Sequence, residues 1–307
     1  NAEPYIERCL CSVVCQSHNN LEVIVVDDAS TDASVKIVMK FMISHPCVRL
    51  IQHDTNQGSM LSRRDGYEAA TGNFIMFVDA DDTLPVDAVE KLVRMGKETN
   101  ADIVAGTIEK IYVSGCKEYI RNELVQNATS EDIMEALLTL KLTHSLCGKL
   151  YKTSLIKNKE LLNYDRMTIS EDGCLFYQLA HIAQSITTSN EVVYFYYENE
   201  YSTSHQVYGT RQIENIILAN KAIHDICKKY PALDFKLQQK MSRTIFPLYA
   251  ECVPNKEIKR LLRKYGMARY GQINFVAHYL NYSDYIFFFK RFIRIRLLAF
   301  ISKCKKK

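Results

Sequence analysis

Residues 74–82, FIMFVDADD, form a short apolar run that is followed at once by three acids. Residues 21–32, LEVIVVDDASTD, repeat this arrangement with a run rich in β-branched residues. Short apolar runs of this kind predict strands that are buried on both faces. Open α/β sheets bind ligands beyond the carboxyl ends of their strands. These two strand ends therefore supply the candidate site residues Asp27, Asp28, Asp79, Asp81 and Asp82.

Helical patterns alternate with the strands in the first part of the chain. Apolar residues at helical spacing predict helices at residues 6–14, 35–42 and 59–70 and another from Pro85, and further strands are predicted at residues 48–51 and 103–113. This alternation predicts an α/β fold of the Rossmann-like type, with a mainly parallel sheet covered by helices on both faces. A helical region follows from residue 206 to the C-terminus.

The acids at the strand ends need a physical explanation, because burying an unpaired carboxylate costs several kcal/mol. Helix capping is one explanation, since Asp28 and Asp82 both come shortly before a predicted helix. Capping needs only one acid at each place, whereas a bound cation or polar ligand accounts for whole clusters. Asp79 and Asp81 form a DxD arrangement whose oxygen ligands suit Mg²⁺ or Mn²⁺, and a diphosphate would complete the coordination.

Taken together, the motifs resemble those of the family 2 glycosyltransferases, whose nucleotide-binding half has the GT-A fold. The resemblance covers roughly residues 1–205 and runs in the order NAEPYIERCL, LEVIVVDDASTD, NQG, SRRDGYEAATGNFIMFVDADD, GKLYKTSLI and SEDGCLF. It implies an inverting enzyme that transfers a sugar from a nucleotide diphosphate donor to a hydroxyl acceptor with Mn²⁺ or Mg²⁺. The implied pathway is the synthesis of a cell-surface polysaccharide, with a glycan or lipid-linked acceptor.

The resemblance also implies the residues of the donor site. Asp27 or Asp28 would hold the nucleotide base, and Arg63 matches the arginine of an ARN-like stretch. Asp79 would lie on the ribose side, and Asp81 would bind the metal.

The catalytic base of the family lies in an acidic pair that corresponds to Glu171 and Asp172, with Asp172 as the base. The residues themselves agree with this role, because an inverting transfer needs a carboxylate to accept the proton of the attacking hydroxyl. The alternative is structural: Ser170 would cap the following helix, and the two acids would only favour its positive end.

Two further residues, Lys149 and His205, have both a functional and an ordinary interpretation. Lys149 is either a substrate contact or a solvated lysine. His205 is either a diphosphate ligand or an ordinary loop histidine, and Asp82 and Glu171 are candidates for acceptor binding or support.

By this resemblance the chain divides into three regions. Residues 1–112 form the nucleotide-sugar-binding half, residues 113–205 the acceptor-binding and catalytic half, and residues 206–307 a helical region with a basic amphipathic tail. In the family a central strand ending in an aromatic-Asn pair precedes the NAEPYIERCL segment. The first strand of the fold is therefore expected to lie before Asn1.

The charge of the chain is distributed unevenly. The tail Tyr285–Lys307 contains 8 of the 39 basic residues and no acid, so the remainder carries 31 basic and 35 acidic residues, a net charge of −4. Aromatic and basic residues together favour a helix on an anionic membrane surface, and the alternative is a helix packed on the catalytic domain. Nucleic acid is disfavoured as a partner, because the body is slightly acidic. No apolar run approaches the roughly 20 residues of a membrane span, so the expected location is cytoplasmic, peripheral on the inner face of the cell membrane.

Two other classes of function share part of this pattern. A metal-dependent nucleotidyltransferase also uses acids at strand ends, but it would need a phosphate-binding loop rich in glycine and lysine near the first strand. A non-catalytic nucleotide-sugar-binding module is the third class, and hydrolysis of the donor would separate it from both enzymes.

Overall fold

A computed structural model of the chain describes residues 1–157, 161, 167, 170–199, 209–245, 248, 255–271 and 279. The chain divides into two units, residues 1–202 and residues 203–307. The helices of the first unit are α1 (Ile6–Val14), α2 (Ser34–Ser44), α3 (Ser59–Ala69), α4 (Ala88–Thr99), α5 (Ser130–Leu138), α6 (Thr153–Ile156) and α7 (Glu171–Ile182). Its strands are β1 (Val23–Asp27), β2 (Val48–Gln52), β3 (Phe74–Met76), β4 (Ile103–Ile111), β5 (Lys117–Ile120), β6 (Lys149–Lys152) and β7 (Ile186–Tyr197).

The helices and strands predicted before residue 112 are all present, so the α/β class is confirmed. Boundaries shift by one to three residues, and two of these shifts lie next to the DxD segment. Helix α4 begins at Ala88 instead of Pro85, whose carbonyl accepts the Ala88 N–H in the turn that precedes the helix. Strand β3 ends at Met76, and Phe77 continues it only as an isolated bridge to Cys147.

The described strands form two sheets. Strands β1 and β2 pair in parallel, with Asp27 opposite Gln52. The larger sheet has the order β3-β6-β4-β5, and β7 pairs with β4. Because it contains strands from both sides of residue 112, the predicted donor-binding and acceptor-binding halves share this sheet.

The expectation of a mainly parallel sheet is wrong for the larger sheet, which is mixed. Strand β4 pairs in parallel with β7 but antiparallel with β5 and β6, and β3 pairs antiparallel with β6. The physical reason is clearest at β5. Only residues 112–116 connect it to β4, which is too short for the crossover that parallel strands need. A buried strand has the same apolar pattern whether it pairs in parallel or antiparallel, so the pattern does not predict the direction of pairing.

The core of the first unit lies along β4, whose residues Ile103, Val104 and Ala105 are at most 1% exposed. Strand β7 approaches so closely that a Cβ on Gly106 would lie 2.3 Å from Val193 Cγ2. Only glycine fits at that point of the β4–β7 pair, where the pairing is irregular and the register shifts between Ala105 and Ile108.

The described elements of the second unit are helical. They are α8 (Thr210–Cys227), α9 (Asp234–Ile245) and α10 (Asn255–Lys264), with short 3₁₀ turns at Pro231–Leu233 and Ala268–Gly271. Helices α8 and α10 are joined at Glu214, which accepts hydrogen bonds from Lys264 Nζ and Tyr265 Oη, both at 2.7 Å. The predicted tail, Tyr285–Lys307, lies outside the described residues. In the part of the chain that the structure describes, no helix combines the length and the apolarity that crossing a membrane requires.

Candidate active site

Arg63 brings the predicted donor residues and the predicted catalytic pair together. Its Nη2 atom donates to Asp79 Oδ1 at 3.1 Å, while Nη1 lies 2.7 Å from Asp172 Oδ1 and 3.7 Å from Glu171 Oε1. The guanidinium side chain is only 15% exposed. Four residues predicted from separate motifs therefore form one cluster, which we call the Arg63 cluster: Arg63, Asp79, Glu171 and Asp172.

The N-termini of α3 and α7 meet at this cluster. Ser59, the first residue of α3, donates its hydroxyl to Glu171 Oε1 at 2.6 Å. Ser170 lies in the left-handed region at φ 65° and makes no side-chain cap for α7, so the purely structural interpretation of the acidic pair lacks its cap. A non-glycine residue held in this conformation costs about 1 to 3 kcal/mol, and such strain is concentrated at functional sites.

Asp172 has the electrostatics of a base. Burial raises the pKa of its carboxyl group to about 7, and the neighbouring Arg63 opposes this shift. The 2.7 Å contact with Arg63 is an ion pair without hydrogen-bond geometry, because neither Asp172 Oδ1 nor Arg63 Nη1 has a hydrogen-bond partner among the described residues. The side chain stays 29% exposed, which leaves room for a hydroxyl to approach it. A general base works best with a pKa near the operating pH.

The DxD segment is fixed onto β7 through Asp82. The Asp82 carboxylate is 1% exposed, and its oxygens accept from Tyr194 Oη at 2.7 Å and from the Tyr197 N–H at 2.9 Å. Tyr194 Oη in turn accepts the Asp79 N–H at 3.1 Å. Burial raises the pKa of Asp82 to about 7. Asp82 therefore supports the segment and does not face a ligand.

Asp81 is placed where a cation is favourable. Burial and the nearby Asp79 carboxylate raise the pKa of Asp81. Arg8 donates to the main-chain oxygen of Asp81 at 2.6 Å, and its guanidinium lies 3.9 Å from the centre of the Tyr197 ring. Arg8 thus holds the backbone of the segment in place.

The acids of the DxD segment suit Mg²⁺ or Mn²⁺ when other ligands come from the substrate. No group of three or more His, Cys, Asp and Glu side chains suited to a metal occurs in the described parts of the chain. Mg²⁺ in nucleotide sites is usually held by one or two carboxylates together with substrate phosphates. Burial, and after it the charge of Asp79, raise the pKa of Asp81, and a cation would offset both effects. These residues fit a metal that is shared with a diphosphate.

Of the two candidates for the nucleotide base, the geometry favours Asp28. Asp27 is buried and accepts the Ser30 N–H at 3.2 Å. Asp28 is 20% exposed and accepts the N–H groups of Gln57 and Gly58, both at 2.7 Å. Hydrogen bonds to the backbone and to His53 lower its pKa against the effect of burial. Three of its about four lone-pair sites are taken by His53, Gln57 and Gly58, so Asp28 is a fixed, ionised acceptor with one site on Oδ2 left for a donor group on a base.

The interpretation of Lys149 as a solvated lysine is wrong. Lys149 is 0% exposed, and its Nζ atom donates to Ser145 O at 2.6 Å and to Thr143 Oγ1 at 3.3 Å. It lies 4.5 Å from the centre of the Phe176 ring, and burial lowers its pKa to about 7. Strand β6 carries this lysine into the core, where its two hydrogen bonds support the segment before Cys147.

The helix-capping explanation fails for Asp28 and Asp82. The residues at the cap positions of α2 and α4 are Ala33 and Asp87, and neither makes a side-chain cap. Asp32, just beyond the first acidic pair, accepts the Ser34 N–H at 3.1 Å at the start of α2. His205, the remaining predicted donor residue, lies outside the described residues.

Several contacts of the site had not been predicted. Cys147 donates its thiol to Asp79 Oδ2 at 3.5 Å, and Tyr194 links Asp79 to Asp82. Both residues lie in apolar stretches, where the pattern indicates only burial. His53 contacts Asp28, and it stands three residues before the predicted NQG motif, so its place in HDTNQG was a usable signal.

Replacing Arg63 by methionine is expected to lower the free energy of unfolding by about 3 kcal/mol, because three partly buried carboxylates would lose their shared cation. Urea unfolding measures this change. Arg64→Met, on the same helix but 41% exposed, is the control and should cost less than about 0.5 kcal/mol. Adding Asp172→Asn to Arg63→Met should recover part of the loss. Equal stability of Arg63→Met and Arg64→Met would show that charge pairing with Arg63 does not stabilise the Arg63 cluster.

Comparison with known proteins identifies the family. The sequence profile of glycosyl transferase family 2 matches residues 1–158, about half of the chain. The chain belongs to this family. A poly(ribitol-phosphate) beta-glucosyltransferase of Bacillus spizizenii is 30% identical over 200 residues, which cover 64% of this family 2 chain. The chain spans 30% of the length of that relative.

Solved structures confirm the predicted GT-A fold of this family 2 chain. S. aureus TarS in complex with UDP has a TM-score of 0.67 at 21% identity, covering 91% of this chain and 86% of the other. The mannosyltransferase PcManGT from Pyrobaculum calidifontis, in complex with GDP-Man and Mn²⁺, has a TM-score of 0.52 at 16% identity, covering 89% and 82%. At these identities the likeness is one of fold.

Proposed function

We propose that the chain is an inverting glycosyltransferase that uses a nucleotide-diphosphate sugar and a hydroxyl acceptor. The Arg63 cluster is the observation that carries the proposal, because it holds a carboxylate of pKa about 7, Asp172, beside the DxD acid Asp79. In the reaction Asp172 accepts the proton of the acceptor hydroxyl. The acceptor oxygen forms a bond to the anomeric carbon as the bond from that carbon to the diphosphate breaks, so the nucleotide diphosphate leaves from the opposite face.

The donor lies between the ends of β1 and β3. Asp28 would accept from the nucleotide base, Asp79 would lie on the ribose side, and Asp81 would hold the divalent metal. When bound, Mg²⁺ or Mn²⁺ stabilises the charge that develops on the leaving diphosphate. The complexes of TarS with UDP and of PcManGT with GDP-Man and Mn²⁺ support this class of donor and cofactor.

The acceptor is a growing glycan or a lipid-linked sugar of a bacterial cell-surface polysaccharide. The name of the Bacillus relative, a glucosyltransferase acting on poly(ribitol-phosphate), supports a polymer acceptor. The donor screen that tests the function uses the full-length protein with UDP- and GDP-sugars and Mg²⁺ or Mn²⁺, and follows release of nucleotide diphosphate. Release of pyrophosphate from UTP or GTP supplied with a sugar 1-phosphate, in a parallel assay, would indicate a nucleotidyltransferase. Nucleotide binding without any release would indicate a binding module.

We also propose that the tail Tyr285–Lys307 holds the protein on the anionic inner face of the cell membrane. Removing the tail should abolish sedimentation with anionic vesicles, because it removes 8 basic residues and no acid, each basic residue contributing about 1 kcal/mol near such a surface. Activity on a soluble acceptor should survive. Neutral vesicles are the control for the full-length protein. Loss of folding on deletion would support the alternative, a helix packed on the catalytic domain.

A further inference from the structure

His53 lies between two carboxylates behind the proposed donor site. Its Nδ1 atom is 2.9 Å from Asp28 Oδ1, and its Nε2 atom is 3.0 Å from Asp65 Oδ2. The side chain of His53 is only 6% exposed. An ionised carboxylate only accepts hydrogen bonds, so both contacts are made together only when both ring nitrogens carry hydrogen. The geometry is that of an imidazolium.

This arrangement ties β1 to α3. Asp28 follows β1 directly, and Asp65 lies in the second turn of α3. Asp28 also accepts the N–H groups of Gln57 and Gly58 just before α3 begins, where Gly58 has a φ of 92°. The contacts of His53 therefore fix the first turns of α3 relative to the end of β1.

Helix α3 carries two residues of the active site. Ser59 contacts Glu171, and Arg63 contacts Asp79 and Asp172. Asp65 is two residues beyond Arg63 on the same helix. A change in the contact between His53 and Asp65 therefore acts on the helix that organises the Arg63 cluster, while a change in its contact with Asp28 acts on the nucleotide side.

The ionisable groups that face His53 are few. Asp28, just after β1, contributes one carboxylate, and Asp65 on α3 contributes the other. Asp65 Oδ1 also lies 3.7 Å from Arg64 Nε. Both carboxylates raise the pKa of His53, and burial opposes them. A group with a raised pKa in the folded state stabilises the fold fully below its unfolded pKa and loses this contribution as the pH rises through the folded value.

We propose that His53, as an imidazolium, is a positioning residue for the nucleoside diphosphate of the donor: it holds Asp28 and α3 in the arrangement that binds the nucleotide. The inference rests on the proposed function, because it takes Asp28 as the contact to the base. Above the pH at which His53 loses its proton, a ring nitrogen with a lone pair faces one of the two carboxylates. The hydrogen bond of His53 to that carboxylate is then lost, and nucleotide affinity falls.

The test measures binding of UDP and GDP to the full-length protein by calorimetry, in Mg²⁺, from about pH 6.5, the ordinary pKa of histidine, upward into the alkaline range. His53→Asn should raise the dissociation constant about 10-fold at the acid end, as expected for losing hydrogen bonds to charged groups. The parent should lose affinity toward alkaline pH, and His53→Asn should not. His18→Asn, a histidine in the loop after α1, is the control and should behave like the parent.

A second variant keeps the test decisive if His53→Asn fails to fold. Asp65→Asn removes one of the two charges that raise the pKa of His53, so it should move the alkaline loss of affinity to lower pH, and the titration of the His53 ring in NMR spectra should move with it. Flat affinity across this pH range in the parent, or equal affinity of the parent and His53→Asn, would overturn the inference alone. Failure of the parent to bind either nucleotide would overturn the proposed function and the inference with it.

Discussion

Asp172→Asn is expected to lower the rate of sugar transfer about 10³-fold, within the range found for the loss of a general base. The substitution keeps the shape of the side chain but removes the oxygen that accepts the proton of the acceptor hydroxyl. Asp172 contacts Arg63 and no residue of the proposed base site, so the dissociation constant for UDP or GDP should change less than about 3-fold. Single-turnover rates and calorimetric nucleotide binding measure the two quantities separately.

The pH dependence of the parent provides a second measurement of the same role. Burial raises the pKa of Asp172 to about 7, and the carboxylate must be ionised to accept a proton. The rate should therefore rise with pH up to and through about 7, and the residual rate of Asp172→Asn should lack this rise. Glu171→Gln is the matched control, since Glu171 is held by the Ser59 hydroxyl and has no proton to transfer in the reaction. Its rate should fall less than about 10-fold. A collapse of nucleotide affinity in Asp172→Asn would place this residue in the donor site instead.

Thermal unfolding of Asp172→Asn tests whether its loss of rate comes from the missing base and not from a less stable fold. The pKa of Asp172 is raised from 3.8 to about 7, so the folded chain keeps this proton between these values while the unfolded chain has lost it. The contribution of this group to stability therefore falls as the pH rises through that window. Asparagine does not titrate, so Asp172→Asn should unfold at a temperature no lower than the parent at about pH 8.

The sequence predicts those parts of the site that depend only on residues adjacent in the chain. An apolar run followed by acids indicates a buried strand with polar groups at its end, whatever the rest of the chain does. This is why Asp79 and Asp28 could be placed at strand ends before any contact was known. The resemblance supplied Arg63 and Asp172, which lie far from these acids in the sequence.

The parts that it does not predict depend on contacts between distant segments. Tyr194 bonds to Asp82 across 112 positions, and nothing in the apolar strand around Tyr194 marks its hydroxyl as part of the site. Lys149 looks like a surface residue by type, yet pairing of β6 with β4 carries it into the core. The direction of strand pairing has the same origin, because apolar patterns record burial and not the neighbour that causes it.

His53 shows why polar loops are the hardest to interpret. In HDTNQG the histidine stands beside Asp54 and would ordinarily be assigned to solvent. Its partners, Asp28 and Asp65, come from 25 positions before it and 12 after it, and only the folded chain brings both to one ring. A buried charge needs partners of opposite charge, so a histidine cation such as His53 is stable only where the tertiary structure brings carboxylates to it.

Asp81→Asn is expected to lower metal-dependent turnover about 10³-fold or more, as for loss of the group that holds a catalytic metal. Asparagine keeps the size of the side chain but removes the negative charge, while Asp82 still binds Tyr194 and Tyr197 and keeps the DxD segment in place. The fold should therefore persist, and thermal unfolding without metal should match the parent or exceed it, because burial and Asp79 already disfavour the ionised Asp81 carboxylate.

Two readouts separate a lost metal from a damaged site. Mn²⁺ binding in the presence of UDP or GDP, followed by electron paramagnetic resonance, should weaken at least about 10-fold in Asp81→Asn, and raising Mn²⁺ should restore part of the rate if weaker binding is the only defect. Asp87→Asn is the control, because Asp87 is 44% exposed, pairs with Lys91 at the start of α4 and lies outside the DxD segment. It should bind Mn²⁺ and turn over like the parent. Unchanged activity of Asp81→Asn in Mn²⁺ or Mg²⁺ would contradict the metal assignment and transfer it to Asp79, whose carboxylate is then the remaining acid of the DxD pair.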